Sequence, residues 1–254
     1  MALPKFNNPI FELTLPSTGQ AVKYRPFLVK EQKILLLALE GNDQKDVLTA
    51  IKQIVGNCAI DEVDPSKIAL FDLEYFFMRL RAKSIGETID LRLRHPTGKN
   101  SDNEECEHMT PTTLALLEVE VQKTDEHTDK IILDEETGIG IKLKYPNVDM
   151  AIASAKTVEG KNQMDVATDA IINSIEYILD KETAYKKEDS TKKELIEFIE
   201  NLSQDQYVKL TKFFESMPKL KHKVEWTCGK CGCKDEITLE GLSNFFGFWW
   251  DLKI

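Results

Sequence analysis

The sequence contains no long apolar segment. No apolar run approaches the roughly 20 residues that a membrane-spanning helix requires, so a membrane span is not expected. Residues 1–9 also lack the basic stretch followed by an apolar stretch that marks a secretory signal peptide. We therefore expect a protein that acts in the compartment where it is made. Its 254 residues could form one large domain or two small ones.

Positive charge and recognisable catalytic motifs are also scarce. The formal net charge is −10 at pH 7, which disfavours general nucleic-acid binding because that requires clustered Lys and Arg side chains. The sequence has no Gly-x-Ser-x-Gly turn, no His-Glu-x-x-His helix and no phosphate-binding loop. Acids such as Glu104 and Glu105, and the histidines His127 and His222, are expected at a solvated surface. No catalytic residue is predicted, and a protein that binds other proteins is favoured.

Cysteines are few, and their number is odd. Of the five, three lie close together at Cys228, Cys231 and Cys233. This pattern is typical of a metal site in a reducing compartment and not of a disulfide framework. We expect no disulfides. Cys58 lies on the apolar face of a predicted helix, which indicates a core residue.

Two kinds of apolar spacing divide the chain into strands and helices. Alternation at 11–15 and 22–24, around a Pro-Ser-Thr-Gly turn, predicts a β-hairpin. A 3.6-residue spacing over 30–55 predicts two helices, and a third is expected at 73–82. Alternation returns at 89–93 and 119–121, on either side of a long polar tip. The predicted fold class is therefore α+β, with helical bundles and β-hairpins.

The second half of the sequence repeats the first at an offset of 119 residues. Between positions 18 and 61, eleven residues are identical to those 119 positions later, where roughly two or three matches are expected by chance. A charged insertion at 181–194 then increases the offset by 14 and aligns His95 with Cys228. We predict a duplicated helix-plus-hairpin unit, 1–124 and 125–254. The alternative, that two segments share turn and cap residues without a common origin, stays open.

The most specific local pattern is a Cys-x-x-Cys turn set between two alternating segments. Such a turn places two thiolates together, as tetrahedral zinc requires, and the tip of the first unit's hairpin offers two further ligands. The predicted zinc ligands are Cys228, Cys231, Cys106 and His108. His95 or Cys233 could replace one of them. Inert thiols are one alternative, and a redox pair is another, although a redox pair is expected at the start of a helix.

The last part of the sequence is rich in aromatic side chains. Residues 241–250 contain five of them, more than a short helix can bury in its own core. Protein interfaces favour aromatic anchors. This tail is therefore expected either to bind a partner or to complete the core of the second unit.

Six segments of the sequence resemble the baseplate hub proteins of T-even-type contractile-tailed phages. These segments are residues 1–5, 11–19, 22–31, 33–36, 71–77 and 80–87. The resemblance is closest over 1–95. It implies a small structural protein, made late in infection, that assembles in the host cytoplasm and belongs to the baseplate of the virion tail. The implied partners are other hub and tail proteins, with no nucleic acid, no membrane and no catalytic residues.

Three alternatives to a permanent hub subunit remain open. The first is an assembly chaperone of the hub that is absent from the finished virion. The second is a zinc-ribbon protein that binds nucleic acid, which the acidic composition disfavours. The third is a cell-wall-degrading enzyme, for which the sequence offers no recognisable pair of carboxylates.

Overall fold

The molecule has the predicted α+β architecture. The computed structural model describes residues 6–41, 43–157 and 162–246. The first part of the chain forms β1 (Phe11–Thr14), β2 (Ala21–Tyr24), α1 (Val29–Glu40), α2 (Gln44–Cys58), α3 (Leu70–Ser84), β3 (Thr88–Leu93), β4 (Thr110–Ala115) and β5 (Glu120–Gln122). The second part forms β6 (Lys130–Ile132), β7 (Gly140–Leu143), α4 (Val148–Thr157), α5 (Gln163–Ser174), β8 (Ile175–Leu179), β9 (Ala184–Lys186), α6 (Lys192–Glu200), α7 (Gln204–Ser216), β10 (Lys219–Thr227), β11 (Lys234–Glu240) and α8 (Gly241–Phe246).

The strands pair into small antiparallel sheets. β1 pairs with β2, β3 pairs with β4, and β6 to β9 form a four-stranded sheet in sequence order. β10 pairs on one side with β11 and on the other side with β5. In this last pairing, Val121 lies opposite Leu220. One sheet therefore joins the two predicted units.

Side-chain caps define where several helices begin. Asp43 and Asn162 each accept a hydrogen bond from a backbone N–H in the first turn of α2 and α5. Thr191 and Ser203 do the same for α6 and α7 within capping boxes. These bonds satisfy N–H groups that have no partner inside the helix. No helix in the described ranges is long and apolar enough to cross a membrane.

The element positions of the two units correspond closely. β1, β2, α1 and α2 begin at residues 11, 21, 29 and 44, and β6, β7, α4 and α5 begin at 130, 140, 148 and 163, each 119 residues later. The turn glycines Gly19 and Gly138 share the same left-handed φ of 71°. These matches favour the proposed duplication. Glu159 and Gly160, which are two of the eleven residues identical at the offset of 119, lie outside the described residues.

One helix is shorter than its apolar spacing predicts. In the second half of the sequence, the spacing of Val166, Ile171, Ile175 and Ile178 is that of a helix, but α5 ends at Ser174 and the chain continues as β8. β8 pairs with β7, and Ile178 lies opposite Ile141. Ile175 and Ile178 are β-branched, and such side chains favour strands. These residues therefore form a strand and not a further turn of α5. The charged insertion contributes β9, the edge strand of the same sheet.

Two hydrophobic cores organise the chain, and they divide it differently from the sequence repeat. The smaller core lies between the β6–β9 sheet and α5, α6 and α7. The larger core contains side chains of β1 to β4 and the first three helices, but also of the C-terminal hairpin and α8. Trp226 of β10 and Leu239 of β11 are almost fully buried in it. The C-terminal hairpin therefore packs against the first unit.

His127 contradicts the expectation of a solvated surface. The His127 ring stacks on the ring of Tyr145 at 5.6 Å and lies 5.1 Å from the ring of Phe213. Nδ1 of His127 is hydrogen-bonded to Ser216 Oγ. Burial lowers the pKa of the imidazole. Tyr145 also packs edge-on against Phe71 of α3. The histidine belongs to an aromatic cluster that connects the smaller core with α3.

The aromatic tail enters the fold at α8. Leu242 is buried in the larger core, so the beginning of this segment completes a core, although that of the first unit. The side chains of Phe245 and Phe246 and all of residues 247–254 lie outside the described residues. The interface expectation for the aromatic tail therefore stays a prediction.

Glu74 of α3 holds the start of α8. The Leu242 N–H donates to Glu74 Oε1 at 3.2 Å, next to Gly241, which has a φ of 65°. Burial raises the pKa of the Glu74 carboxyl to about 7, although the Leu242 N–H opposes this shift. The protonated form is therefore favoured in the folded protein below a pH of about 7. Between pH 4.5 and about 7 the folded chain keeps a proton that the unfolded chain releases.

Replacement of Glu74 by Gln should increase stability at neutral to basic pH. Because the carboxyl pKa is raised in the folded chain, the free energy of unfolding decreases as pH rises through this window and the buried carboxyl becomes charged. An uncharged Gln side chain avoids this decrease, and its amide oxygen can still accept the Leu242 N–H. We expect Glu74→Gln to raise the free energy of unfolding by about 1–3 kcal/mol at pH 8 and by little at pH 4.5. Urea unfolding across this range measures the difference. Glu104→Gln, at an exposed position, is the control, and a pH-independent gain at Glu74 would contradict the explanation.

Candidate metal centre

The polar tip between β3 and β4 folds back on itself and places two potential metal ligands. The chain turns at Gly98, which has a φ of 71° and donates its N–H to the carbonyl of His95 at 2.9 Å. The Cys106 N–H then donates to the Gly98 carbonyl at 2.8 Å. His95 and Cys106, which are eleven residues apart in sequence, are thereby held side by side at the base of the tip.

The Cys-x-x-Cys turn between β10 and β11 is closed by its own backbone. The Cys228 N–H donates to the Cys233 carbonyl, and the Gly232 N–H donates to the Cys228 carbonyl, both at 2.9 Å. Gly232 has a φ of 73°, a left-handed conformation that glycine adopts without steric cost. The Gly229 N–H also donates to Thr110 Oγ1 of β4 at 3.1 Å. This bond docks the turn on the first unit's hairpin.

Four side chains from the two hairpins converge at one point. Their potential ligand atoms all lie within 4.8 Å of one another, and the residues are His95, Cys106, Cys228 and Cys231. The sulfurs of Cys106 and Cys228 are 3.7 Å apart, and Cys231 Sγ is 3.4 Å from His95 Nε2. Ligands in a tetrahedral zinc site, with bonds of about 2.0–2.3 Å, lie roughly 3.5–3.8 Å apart. The donor types and their spacing therefore fit a metal ion.

The cluster is enclosed by protein. His95 is 0% exposed, Cys228 is 2% exposed and Cys106 is 4% exposed, while Cys231 is partly buried. The ring of Trp226 lies 5.0 Å from that of His95 and covers one side. A buried group of thiols and an imidazole can bind a metal while excluding bulk water, which is typical of a structural site and not of an open catalytic one.

The turn prepares one thiol as a ligand. The N–H groups of Cys231 and Lys230 point at the Cys228 sulfur and lower the pKa of that thiol to about 5. These contacts favour the thiolate form of Cys228, which is the form that binds metals. By contrast, burial raises the pKa of the Cys58 thiol to about 11. Cys58 is fully buried in the larger core, in agreement with its prediction as a core residue.

Comparison with known proteins identifies a family. A family model described as T4 bacteriophage base plate protein matches residues 8–247. The chain belongs to this family. No curated protein and no solved structure matches it. As a member of the baseplate family, the chain has a structural or assembly role in the phage tail baseplate and interacts with other baseplate or tail proteins.

The cluster in this baseplate protein contains three of the four ligands predicted from the sequence. Cys106, Cys228 and Cys231 are brought together, and His95, one of the predicted replacements, occupies the fourth place. His108 is exposed and lies beside the Cys turn, where a Cβ added to Gly229 would be 3.5 Å from its Nε2. His108 lies outside the four-residue group.

Cys233 is also near the centre but outside the group. It is partly buried, and its thiol lies 3.5 Å from an oxygen of Asp102 in the opposite tip. Its carbonyl closes the Cys turn through Cys228. Cys233 therefore supports the Cys turn through its backbone carbonyl, and its sulfur contacts the tip of the β3–β4 hairpin.

Sequence reasoning missed Asp235, which contacts the imidazole of His95. Its Oδ2 lies 2.7 Å from His95 Nδ1, and this hydrogen bond raises the pKa of His95. A signal was present in the sequence. Asp235 alternates with Ile237 and Leu239, the side of β11 that faces the core. A carboxylate at an inward-facing strand position requires a polar partner.

The left-handed turn at Gly232 can be tested against an equivalent glycine elsewhere. Gly19 and Gly232 have nearly the same positive φ, and a Cβ at either position would meet no atom within 4 Å. Backbone strain alone should therefore lower the free energy of unfolding by about 1–2 kcal/mol in Gly19→Ala and in Gly232→Ala. Chemical denaturation with a chelator present measures both. A negligible loss in Gly232→Ala would mean that the Cys turn is not closed as described.

Proposed function

We propose that the chain is a component of the baseplate hub and acts by binding other hub and tail proteins. The observation that carries this proposal is the family match over residues 8–247, which covers most of both predicted units and every element from β1 to α8. The resemblance of residues 1–95 to hub proteins supports the hub as the site of action. In this proposal the chain is assembled into the baseplate in the host cytoplasm, and its partners are hub and tail proteins.

A duplicated unit suits such a role. Two similar units on one chain present related surfaces in different directions, which allows one protein to bridge two partners. The β5–β10 pairing and the cluster of Phe71, Tyr145 and Phe213 hold the two units together. A rigid connection of this kind would fix the relative orientation of the bound partners.

The alternative within the same class is a hub assembly chaperone that is absent from the finished particle. Both versions require binding to hub proteins, and they differ in where the chain is found afterwards. Two measurements on the same infection therefore separate them: the proteins that co-purify with the chain during assembly, and the protein composition of purified virions.

We expect a tagged full-length chain, recovered from infected cells, to retain hub proteins identified by mass spectrometry. We also expect the untagged chain in purified virions. Recovery of hub proteins without the chain in virions would support the chaperone and reject the permanent subunit. Recovery of outer baseplate proteins without hub proteins would contradict the hub assignment in either version.

Zinc is the metal that the cluster favours. Three cysteines and one histidine form a common donor set of structural zinc sites, and zinc accepts the tetrahedral arrangement without an electronic preference of its own. In this proposal the ligands are His95, Cys106, Cys228 and Cys231, and His95 takes the place that the sequence assigned to His108. The geometry supports this choice because Nε2 of His95 is 3.4 Å from Cys231 Sγ.

The proposed zinc ion would act as a clamp. His95 and Cys106 belong to the β3–β4 hairpin, and Cys228 and Cys231 belong to the β10–β11 hairpin, so binding would connect segments between which all elements from β5 to α7 lie in sequence. The unfolded chain does not hold these ligands together, and the free energy of binding therefore adds to the stability of the fold. The clamp would stabilise the docking of the C-terminal hairpin on the first unit.

The zinc proposal predicts one ion per chain and a specific order among variants. Elemental analysis should find stoichiometric zinc in protein purified under reducing conditions without chelator. Cys228→Ser and His95→Ala should release it and lower the melting temperature by several degrees, whereas Cys58→Ser and His108→Ala should retain it. Chelation of the unmodified chain should produce the same decrease in melting temperature, so the result does not depend on a variant folding well.

Two results would contradict the zinc proposal in different ways. A metal-free protein from the same preparation would reject the metal. Release of zinc by His108→Ala with retention in His95→Ala would restore the ligand set predicted from the sequence and reject the one proposed from the structure.

A further inference from the structure

Asp235 contacts the metal cluster without belonging to it. Its Oδ2 is 2.7 Å from Nδ1 of His95, while the other ring nitrogen, Nε2, faces the sulfur of Cys231 at 3.4 Å. The two nitrogens of the imidazole therefore have different surroundings, one a carboxylate and the other the three thiols. We propose that Asp235 is a positioning residue, which holds His95 with Nδ1 protonated and the lone pair of Nε2 directed at the metal.

The carboxylate is itself held in a fixed orientation. Oδ1 of Asp235 accepts the N–H of Glu236 at 2.8 Å, which leaves Oδ2 for His95. Asp235 also lies opposite Trp226 in the β10–β11 register, and the ring of Trp226 packs 5.0 Å from that of His95. Since both carboxylate oxygens have partners and the neighbouring ring restricts movement, the imidazole has one favoured orientation.

The chemistry of a histidine ligand explains why this contact matters. A neutral imidazole carries its proton on only one nitrogen, and a metal requires the other. A carboxylate that accepts the Nδ1 proton selects the tautomer with a free Nε2 and makes that nitrogen more basic. Loss of such a partner typically weakens metal binding by about 10- to 100-fold. Asp235 therefore contributes to metal affinity without touching the ion.

The ligand His95 and the residue that orients it, Asp235, belong to different hairpins. His95 comes from the first unit, whereas Asp235 follows the Cys turn in the second, 140 positions away. The hairpin that supplies two thiolates thus also orients the imidazole contributed by the other hairpin. This inference rests on the proposed zinc site, and its test distinguishes the failure of one from the failure of the other.

The test compares substitutions of Asp235 with a neighbouring control in the full-length chain. We expect Asp235→Ala to weaken zinc binding by about 10- to 100-fold, measured by competition with a chromophoric chelator. Asp235→Asn should weaken it less, because the amide oxygen can still accept the Nδ1 proton. Glu236→Gln, an exposed neighbour that pairs with Lys223, should bind zinc as the unmodified chain does.

A second measurement excludes a merely structural effect. Nitrogen-15 NMR of the zinc-loaded chain should show His95 protonated at Nδ1 and metal-bound at Nε2, and the unfolding of the chelated Asp235→Asn variant should resemble that of the chelated unmodified chain. Unchanged affinity in Asp235→Ala, or His95 bound through Nδ1, would overturn the positioning role while leaving the zinc site intact. Failure of the unmodified chain to bind zinc would reject both.

Discussion

Burial of α3 on nearly every side is the constraint on which the remaining structure depends. A helix enclosed in this way contains charged groups that need partners inside the protein. Arg79 meets this need by donating to the carbonyls of Leu117 and Val119, at 2.6 Å and 3.1 Å, and by pairing with Glu120. These bonds order the segment that leads into β5, and β5 is the strand on which β10 pairs. Arg79 of α3 thereby orders the segment next to the strand on which the beginning of β10 pairs, and the Cys turn follows at the other end of β10.

Local spacing predicted the features that neighbouring residues determine. The N-terminal hairpin, the helices α1 to α3 and the Cys-x-x-Cys turn depend on periodicity, turn glycines and capping side chains, all of which are visible in the sequence. The second hairpin was only partly predicted, because β3 pairs with 110–115, whereas the alternating run at 119–121 pairs with β10. The proximity of Cys106 to this turn was also predicted, from the alignment of the two hairpins. That alignment places His95 opposite Cys228, and both residues belong to the observed cluster.

The identity of the fourth ligand depends on backbone directions that spacing does not encode. The turn at Gly98 brings both ends of the tip, His95 and Cys106, to the thiols, whereas the side chain of His108 is exposed. The position of His127 has a similar explanation. Its sequence neighbours are charged, but the rings that cover it come from Tyr145 and Phe213, which are distant in sequence. Long-range contacts also end α5 early, since β8 is defined by its pairing with β7.

The pairing of β5 with β10 has a consequence for synthesis on the ribosome. The larger core contains Leu220, Trp226 and Leu239, which belong to the last two strands of the chain and are translated after β6 to α7. The first unit therefore emerges with the apolar surface of α3 uncovered, while the smaller core, built only from β6 to α7, can form before the C-terminal hairpin appears. The smaller core can therefore be completed before the larger core, although the larger core contains the segments that are translated first.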